Sequence, residues 1–364
     1  MLKNLQVLRA FAALFVVFHH YNFLNFKPGA FGVDIFFVIS GFIISFVIEK
    51  DKESFFLKRL LRIVPMYFLA TLFVIVIWFL RSNVFKTTYV DLPAIVKSFL
   101  FIPYPGGPIL GLGYTLNFEM YFYLIVACFL KITHTPKQAL FCTSIFIISV
   151  FTVTHVFPGE FFILNFYGSD VVFEFIYGII LFFIYKTLKQ KSLSKKGLYY
   201  GLCVCILSII FLIYVGYPEI PIQFRGFLFG LPALIICSVF VFSEGSFKTN
   251  TIIYKFLYKL GNASYIMYLI HPFIIFGVLR LIHPLFDSKN IGLIIIEFLI
   301  SIAIVCLSST LIYSRVELPM QRFLKNKFLR TKNRINSNII KEAGINEAAT
   351  SPKNVGIGEG RVTS

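Results

Sequence analysis

The stretch FGVDIFFVISGFIISFVIE, residues 31–49, decides the fold. Its ionisable side chains are Asp34, near the start, and Glu49, at the end. An α-helix needs about 20 mostly apolar residues to cross the hydrocarbon core of a bilayer. The stretch is therefore predicted to form a transmembrane helix.

The whole chain has the composition of a protein that is surrounded by lipid. Hydrophobic residues make up 58% of its 364 residues and charged residues only 14%, whereas soluble domains carry about 25% charged residues. Further apolar stretches of about 17–22 residues recur along the sequence. We therefore predict an all-α, polytopic integral membrane bundle of about ten transmembrane helices. The predicted spans are residues 5–24, 31–49, 64–80, 114–130, 139–156, 170–186, 198–215, 225–243, 263–283 and 291–314.

The distribution of lysine and arginine predicts the orientation of the chain. With the N-terminus in the cytoplasm, 26 of these residues fall in cytoplasmic segments and 6 in the opposite ones. Cytoplasmic loops of membrane proteins carry an excess of Lys and Arg, so the N-terminus and the C-terminus are both predicted to be cytoplasmic. This asymmetry explains the net charge of +17 without a nucleic-acid partner.

The rest of the domain organisation follows from composition. Residues 1–325 are predicted to form the membrane domain, and the polar residues 326–364 a disordered cytoplasmic tail. The apolar segment 92–103 is short and bounded by prolines, which favours an interfacial or re-entrant position. No small-residue cleavage site follows the first apolar stretch, so we expect no cleaved signal peptide. The cysteines lie in apolar stretches without metal-ligand spacing, so we expect neither disulfides nor a metal site.

Ionisable residues inside the predicted spans are candidates for function, because each costs about 2.5–3.5 kcal/mol at the bilayer centre on insertion scales. Arg9 and His20 are eleven residues apart, so they share one helix face, about 16 Å apart along the axis. Arg9 would lie at the cytoplasmic end and His20 toward the outside. The alternative is that Arg9 reaches the lipid headgroups and that His20 is an interfacial residue.

Two acidic residues lie toward the predicted outer side. Asp34 begins the second span and lies on nearly the same face as Gly41, where a neighbouring helix could approach closely. Asp34 could also cap its helix, since a carboxylate is favourable at a helix N-terminus. Glu119 lies one to two turns into its span, too deep for a cap alone, which indicates a functional or helix-bridging role.

Basic residues cluster at a predicted cytoplasmic loop, SFFLKRLLRIVP, residues 54–65. Arg59 and Arg62 are neighbours on one helix face, and two guanidinium groups side by side suit phosphate oxygens. The alternative is ordinary cytoplasmic charge in contact with lipid phosphate. Farther along, His271 lies near the middle of its span, and Pro272 removes a backbone donor there, which indicates a cavity.

Six motifs occur in the order found in the membrane-bound acyltransferase 3 family, and over roughly residues 1–325 the chain resembles that family. Members move acyl groups, commonly acetyl, onto sugar hydroxyls of bacterial surface glycans, antibiotics or lipids. The stretches TLNFEMYFY and RIVPMYFLATL are most similar to the exopolysaccharide O-acetyltransferase branch. The motifs are LRAFAAL (8–14), GVDIFFVISGF (32–42), RLLRIVPMY (59–67), TLNFEMYFY (115–123), LGNASYIMYLIHP (260–272) and VELP (316–319).

The resemblance implies roles for six residues. It implies an O-acetyltransferase that uses acetyl-CoA or another acyl-CoA as donor substrate and holds no permanently bound cofactor. The phosphate-binding candidates then lie toward the cytoplasm and the acid–base candidates toward the outside. The catalytic candidates are His20, Arg9, Glu119 and Asp34, and the donor-binding candidates are Arg59 and Arg62.

Two departures from the family pattern bear on this expectation. Tyr114 stands where many members carry Trp, which changes a contact but keeps an aromatic ring. The extracytoplasmic hydrolase-like domain of some members is not expected here, so the acyl group would pass directly to its acceptor or to a partner protein.

The predicted chemistry leaves alternatives open. His20, oriented by a carboxylate, could act as a general base on the acceptor hydroxyl or carry the acyl group as an acyl-imidazole. A multi-pass transporter or flippase with a proton-relay interior is a second hypothesis, although no inverted repeat is evident. A scaffold for a polysaccharide-synthesis complex is a third.

The predicted location and partners follow from the enzyme hypothesis. We expect a multi-pass protein of the bacterial inner membrane. Its partners would be acyl-CoA, an extracytoplasmic or lipid-linked glycan acceptor, membrane lipid and other polysaccharide-synthesis proteins.

Overall fold

The computed structural model describes residues 2–21, 28–52, 54–81, 90–188, 192–215, 224–281 and 290–328. Within these residues the chain is helical and contains no strand. It divides into two units, Met1–Pro319 and Met320–Ser364. The second unit is helical over its described residues, 320–328.

The first unit is a bundle of helices. A 3₁₀ turn, Pro28–Ala30, precedes α2, another, Asp170–Val172, precedes α8, and a π-helical turn, Tyr313–Glu317, follows α14. The helices are α1 (Lys3–Tyr21), α2 (Phe31–Lys50), α3 (Phe55–Leu80), α4 (Leu92–Phe99), α5 (Gly113–Ile132), α6 (Pro136–Val156), α7 (Phe162–Tyr167), α8 (Phe173–Thr187), α9 (Lys195–Val215), α10 (Arg225–Leu228), α11 (Gly230–Phe242), α12 (Ile252–Asn262), α13 (Ser264–Leu281) and α14 (Ile291–Ile312).

Eight helical segments in the described part of the chain are long and apolar enough to cross a membrane, so the protein is a multi-pass membrane protein. Each of them corresponds to a predicted span. They are Phe31–Lys50, Phe55–Leu80, Gly113–Ile132, Pro136–Val156, Lys195–Val215, Arg225–Phe242, Ser264–Leu281 and Ile291–Phe328.

The other two predicted spans, 5–24 and 170–186, are also helical but differ from the eight. Helix α1 carries Lys3, Arg9 and two adjacent histidines, which lower its mean hydropathy, and residues 22–24 lie outside the described residues. Helix α8 has 15 residues, about 22 Å at 1.5 Å per residue, which is shorter than the hydrocarbon core. Both predicted helices are thus present. Helix α1 is less apolar than the eight segments, and helix α8 is shorter than they are.

The segment 92–103 is not a span, as predicted, because α4 has only 8 residues. Its N-cap, Asp91, accepts a hydrogen bond from the backbone N–H of Ala94 at 2.7 Å. The predicted tail falls almost entirely outside the described residues, so its boundary at residue 325 stays a prediction.

Loops predicted to lie on the same side of the membrane contact one another. At the predicted cytoplasmic end, the backbone N–H groups of Lys3 and Asn4 donate to the Glu244 carboxylate at 2.9 and 3.0 Å, and Lys186 pairs with Glu49. At the other end, Arg225 contacts the start of α2. These contacts agree with the predicted alternation of the spans; which end faces the cytoplasm stays a prediction.

Helix α2 lies at the centre of the bundle and packs most extensively against α8. A methyl group added at Gly41 would lie 2.1 Å from the carbonyl oxygen of Phe175, and one added at Gly178 would lie 2.2 Å from that of Val38. The close helix approach predicted at Gly41 is confirmed. It depends on two glycines facing each other across the interface.

A single added methyl group should therefore destabilise this interface. We expect Gly41→Ala to lower the free energy of unfolding by about 1–3 kcal/mol, because it overpacks a tight contact. Gly277→Ala is the matched control, since a Cβ added there meets nothing within 4 Å; it should be neutral or stabilise by up to about 1 kcal/mol. Equilibrium unfolding in mixed detergent measures both, and equal stabilities of the two variants would contradict the packing argument.

Candidate functional site

Four of the six predicted site residues line one cavity. Arg9 enters it from α1, Arg59 and Arg62 from α3, and Glu119 from α5. The cavity contains about 750 Å³ of space not filled by protein atoms, part of it open to solvent. Residues far apart in sequence thus form one polar chamber with apolar walls supplied mainly by α2.

Hydrogen bonds to Asp51 fix the start of α3, the helix that carries Arg59 and Arg62. Lys58 and Ser54 both hydrogen-bond the Asp51 carboxylate, with Ser54 Oγ at 2.6 Å. These bonds, the one from Lys58 above all, lower the pKa of Asp51 to about 2. Arg59 and Arg62, three residues apart, then face the cavity together as predicted.

Arg9 is the most enclosed of the three arginines, with 8% of its surface exposed. Its guanidinium lies 6.0 Å from the centre of the Phe36 ring, and its buried Nε has no hydrogen-bond partner among the described residues. It lies within electrostatic range of Arg59, Arg62 and Glu119. An unpaired buried donor is costly, so Arg9 Nε would be stabilised by an acceptor. Three cations around one cavity suit an anionic ligand with several oxygens.

Glu119 is the cavity's carboxylate, and two hydroxyls hold it. Ser40 Oγ donates to Glu119 Oε1 at 3.0 Å, and the Tyr123 hydroxyl donates to the same oxygen. Glu119 therefore bridges two helices, as predicted, since Ser40 belongs to α2 and Glu119 to α5. Sequence reasoning missed both partners, although Tyr123 follows Glu119 by four residues and therefore shares its helix face.

His20 does not line this cavity. Its ring is exposed, and Nδ1 lies 2.9 Å from the carbonyl oxygen of Val16. A carboxylate was expected to orient this ring, but in the structure the backbone carbonyl of Val16 does so. A carbonyl only accepts, so Nδ1 carries the proton and Nε2 of the neutral ring has a free lone pair.

A chain of ring contacts connects His20 to the cavity. The His20 ring lies against the His271 ring, with centroids 4.7 Å apart, and His271 lies 6.0 Å from the ring of Tyr268, which lines the cavity. The Tyr268 hydroxyl is fixed by Thr115 Oγ1 at 2.6 Å. The arginine cluster and His20 are thus connected through α13, which supplies both Tyr268 and His271.

Asp34 belongs to a buried cluster at the start of α2 and does not itself line the cavity. Both of its oxygens bind Arg225, from Nε at 3.0 Å and from Nη2 at 2.8 Å. Asp34 is not the helix N-cap, which is Ala30. Nearby, Asp170 accepts a hydrogen bond from the backbone of Gly226 at 2.8 Å. Asp34 is therefore paired with Arg225 and is not among the residues that line the cavity.

Glu174 completes this second cluster. Its side chain is fully buried and lies within electrostatic range of Asp34 and Arg225. Sequence reasoning missed it, although Asp170 and Glu174 are four residues apart on one helix face. No group of three or more His, Cys, Asp or Glu in the described ranges is placed to hold a metal ion.

The Asp34–Arg225 pair should behave as a structural ion pair. We expect Arg225→Met to lower the free energy of unfolding by about 3–5 kcal/mol, because it leaves a buried carboxylate unpaired. Adding Asp34→Asn to that variant should recover part of the loss. Chemical unfolding of the single and double variants measures this coupling, and additive effects would show that the pair does not stabilise the fold.

The chain is similar to known protein sequences. The sequence model of the acyltransferase 3 family, described as an acyltransferase domain, matches residues 2–313. The chain is 38% identical over 112 residues to ExoZ of Rhizobium meliloti, an exopolysaccharide production protein, covering 28% of this chain and 35% of ExoZ.

Two longer relatives extend the comparison. OatA of Listeria monocytogenes, a peptidoglycan O-acetyltransferase, is 27% identical over 90% of this chain and 56% of its own length. OatA of Staphylococcus aureus, an O-acetyltransferase, is 26% identical over 88% of this chain and 57% of its own length. The chain therefore spans little more than half of these two relatives. No solved structure matches. Since the family match covers most of the sequence, the chain belongs to the acyltransferase 3 family.

Proposed function

We propose that this protein is a membrane-bound O-acetyltransferase that moves acetyl from cytoplasmic acetyl-CoA to a sugar hydroxyl of a bacterial surface polysaccharide. The acceptor would be an exopolysaccharide, an O-antigen or a related glycan. The observation that carries the proposal is the convergence of Arg9, Arg59 and Arg62 on one cavity. Membership of the family and the names of the relatives ExoZ and OatA support the reaction class.

The arginines fit the donor by charge and position. Coenzyme A carries several phosphates, which guanidinium groups bind through paired hydrogen bonds. Arg59 and Arg62 lie at the start of α3, where the predicted orientation puts the cytoplasm. Arg9, with its unpartnered Nε, would bind the diphosphate deeper in the cavity. Glu119 keeps this cluster from carrying three uncompensated positive charges.

His20 would perform the proton transfer. With Nδ1 bonded to Val16, Nε2 is free to remove the proton from the acceptor hydroxyl. The same lone pair could instead attack the thioester and carry the acetyl group. The exposure of the ring suits access by an acceptor from the predicted outer side, while the donor reaches the cavity from the other.

The proposed setting is the bacterial inner membrane. The acceptor would be an extracytoplasmic or lipid-linked glycan, with membrane lipid and other polysaccharide-synthesis proteins as further partners. The exposed apolar side chains of the spanning helices support contact with lipid acyl chains.

Removal of a cavity arginine should weaken donor binding. We expect Arg59→Gln or Arg62→Gln to raise the Kd for acetyl-CoA about 10- to 150-fold, since a charged hydrogen bond contributes about 1.5–3 kcal/mol. Isothermal titration calorimetry of the purified protein measures this. Arg280→Gln is the matched control, because the Arg280 side chain is exposed and does not line the cavity. Equal affinities of all three variants would contradict the assignment.

Substitution of His20 should stop the chemistry while keeping the fold. We expect His20→Asn to lower kcat at least about 10²-fold, because the amide can keep the bond to Val16 but offers no base. Release of CoA from labelled acetyl-CoA, and mass spectrometry of the glycan, measure the transfer. His155→Asn is the control, since His155 makes the same bond to the carbonyl four residues earlier. Substrate flux without CoA release would instead favour a transporter.

A further inference from the structure

The Glu119 carboxylate has one oxygen that the fold leaves without a partner. The two hydroxyls that hold it, those of Ser40 and Tyr123, both donate to Oε1. Across the described part of the chain, Oε2 makes no hydrogen bond and no ion pair, and it is not one of the fully buried unpartnered atoms. Because Glu119 lines the arginine cavity, Oε2 is an accessible acceptor there.

A negative charge is unexpected in a cavity that binds only phosphates. Glu119 lies within electrostatic range of Arg9 and Arg59, so its charge repels any phosphate that these arginines bind. A neutral glutamine could also bridge Ser40 and Tyr123, since its carbonyl oxygen accepts both hydrogen bonds. What a carboxylate adds is the second acceptor, Oε2, which suits a ligand group that donates a hydrogen bond.

The orientation of this acceptor is fixed by two helices. Ser40 holds Oε1 from α2, and Tyr123 holds it from one turn farther along α5. The buried Tyr123 ring in turn lies 6.0 Å from the guanidinium of Arg59. Since both bonds end on Oε1, the direction of Oε2 is set before a ligand binds, and a pre-organised group loses less entropy on binding.

Glu119 also lies part of the way along the cavity. The wall residues of α2 run from Val33 to Ile44, which is about 16 Å at 1.5 Å per residue. Helix α3 begins soon after α2 ends, so its two arginines enter near the Ile44 end. Ser40, the partner of Glu119, lies between the two ends. A chain attached to a phosphate at the arginine end would therefore pass Oε2.

Coenzyme A has such a chain, because its pantetheine arm follows the diphosphate and carries a hydroxyl and amide N–H groups. We propose that Glu119 is a specificity-determining residue whose Oε2 accepts a hydrogen bond from the pantetheine arm, so that the cavity prefers an acyl-CoA to a nucleotide that carries phosphates alone. This inference rests on the proposed function. It concerns binding of the donor, so it applies to both chemical routes open to His20.

Two ligands separate the arm from the phosphates: coenzyme A, and 3′-phosphoadenosine 5′-diphosphate, which lacks pantetheine. Isothermal titration calorimetry of the full-length protein in detergent gives both Kd values. We expect Glu119→Gln to bind 3′-phosphoadenosine 5′-diphosphate more tightly, because a repelling charge is removed. Its preference for coenzyme A over that ligand should fall about 10-fold or more, because a hydrogen bond to a charged group is lost.

Two further variants serve as controls. Glu49→Gln removes the same charge from α2 outside the cavity, where Glu49 pairs with Lys186, and it should keep the preference of the wild type. Ser40→Ala keeps the charge of Glu119 but removes one of the bonds that orient it. In that variant the preference should fall about threefold, without tighter binding of 3′-phosphoadenosine 5′-diphosphate.

The inference is wrong if Glu119→Gln changes both affinities by the same factor, leaving the preference within about twofold of the wild type. Equal tightening would indicate charge compensation alone, and equal weakening a structural role. If Glu119→Gln binds neither ligand, Ser40→Ala decides, and an unchanged preference there overturns the inference. Failure of the proposed function is distinguishable, since the wild-type protein would then release no CoA from acetyl-CoA in response to a glycan acceptor.

Discussion

The structure depends on how buried charge is compensated in a bundle with little water. A guanidinium away from water loses its hydration, and in such surroundings it is stable only with partners. Arg225 has a complete partner, because Asp34 binds it through two hydrogen bonds. Arg9 has no such complete set of partners, since its Nε is unpartnered among the described residues and its side chain lines a cavity. The Asp34–Arg225 pair therefore joins two helices, whereas Arg9 leaves positive charge that a ligand can bind.

Both clusters include residues of α2, so this helix contributes to each of them. Asp34 lies in its first turn, whereas Ser40, farther along, reaches Glu119. The glycines of α2 bring it against its neighbours, with Gly32 close to the backbone of Ala12 and Gly41 close to that of Phe175. These approaches fix the distance between α1, α2 and α8. The walls of the arginine cavity therefore depend on contacts that contain no charge.

Helix α13 connects His20 to the arginine cavity, which α1 alone does not do. Arg9 and His20 share one face of α1, but the cavity ends before His20. Tyr268 and His271 fill that interval, and Pro272 leaves the Tyr268 carbonyl without its helical donor. The site thus consists of an anion-binding region and an imidazole pair, joined through one helix.

Periodic and compositional features were readable from the sequence because they depend only on neighbours along the chain. Apolar stretches near residues 31–49 and 114–130 predict spans whatever they pack against, and the spacing of Arg59 and Arg62 places both on one face. The sequence could not show that Asp34 pairs with Arg225, which is 191 residues away. Nor could it show that Glu119 accepts a hydrogen bond from Ser40 or that the His271 ring contacts the His20 ring. Those contacts depend on which helices become neighbours, and that is decided by close packing at positions such as Gly41 and Gly178, where the absence of a side chain determines how near two backbones can lie.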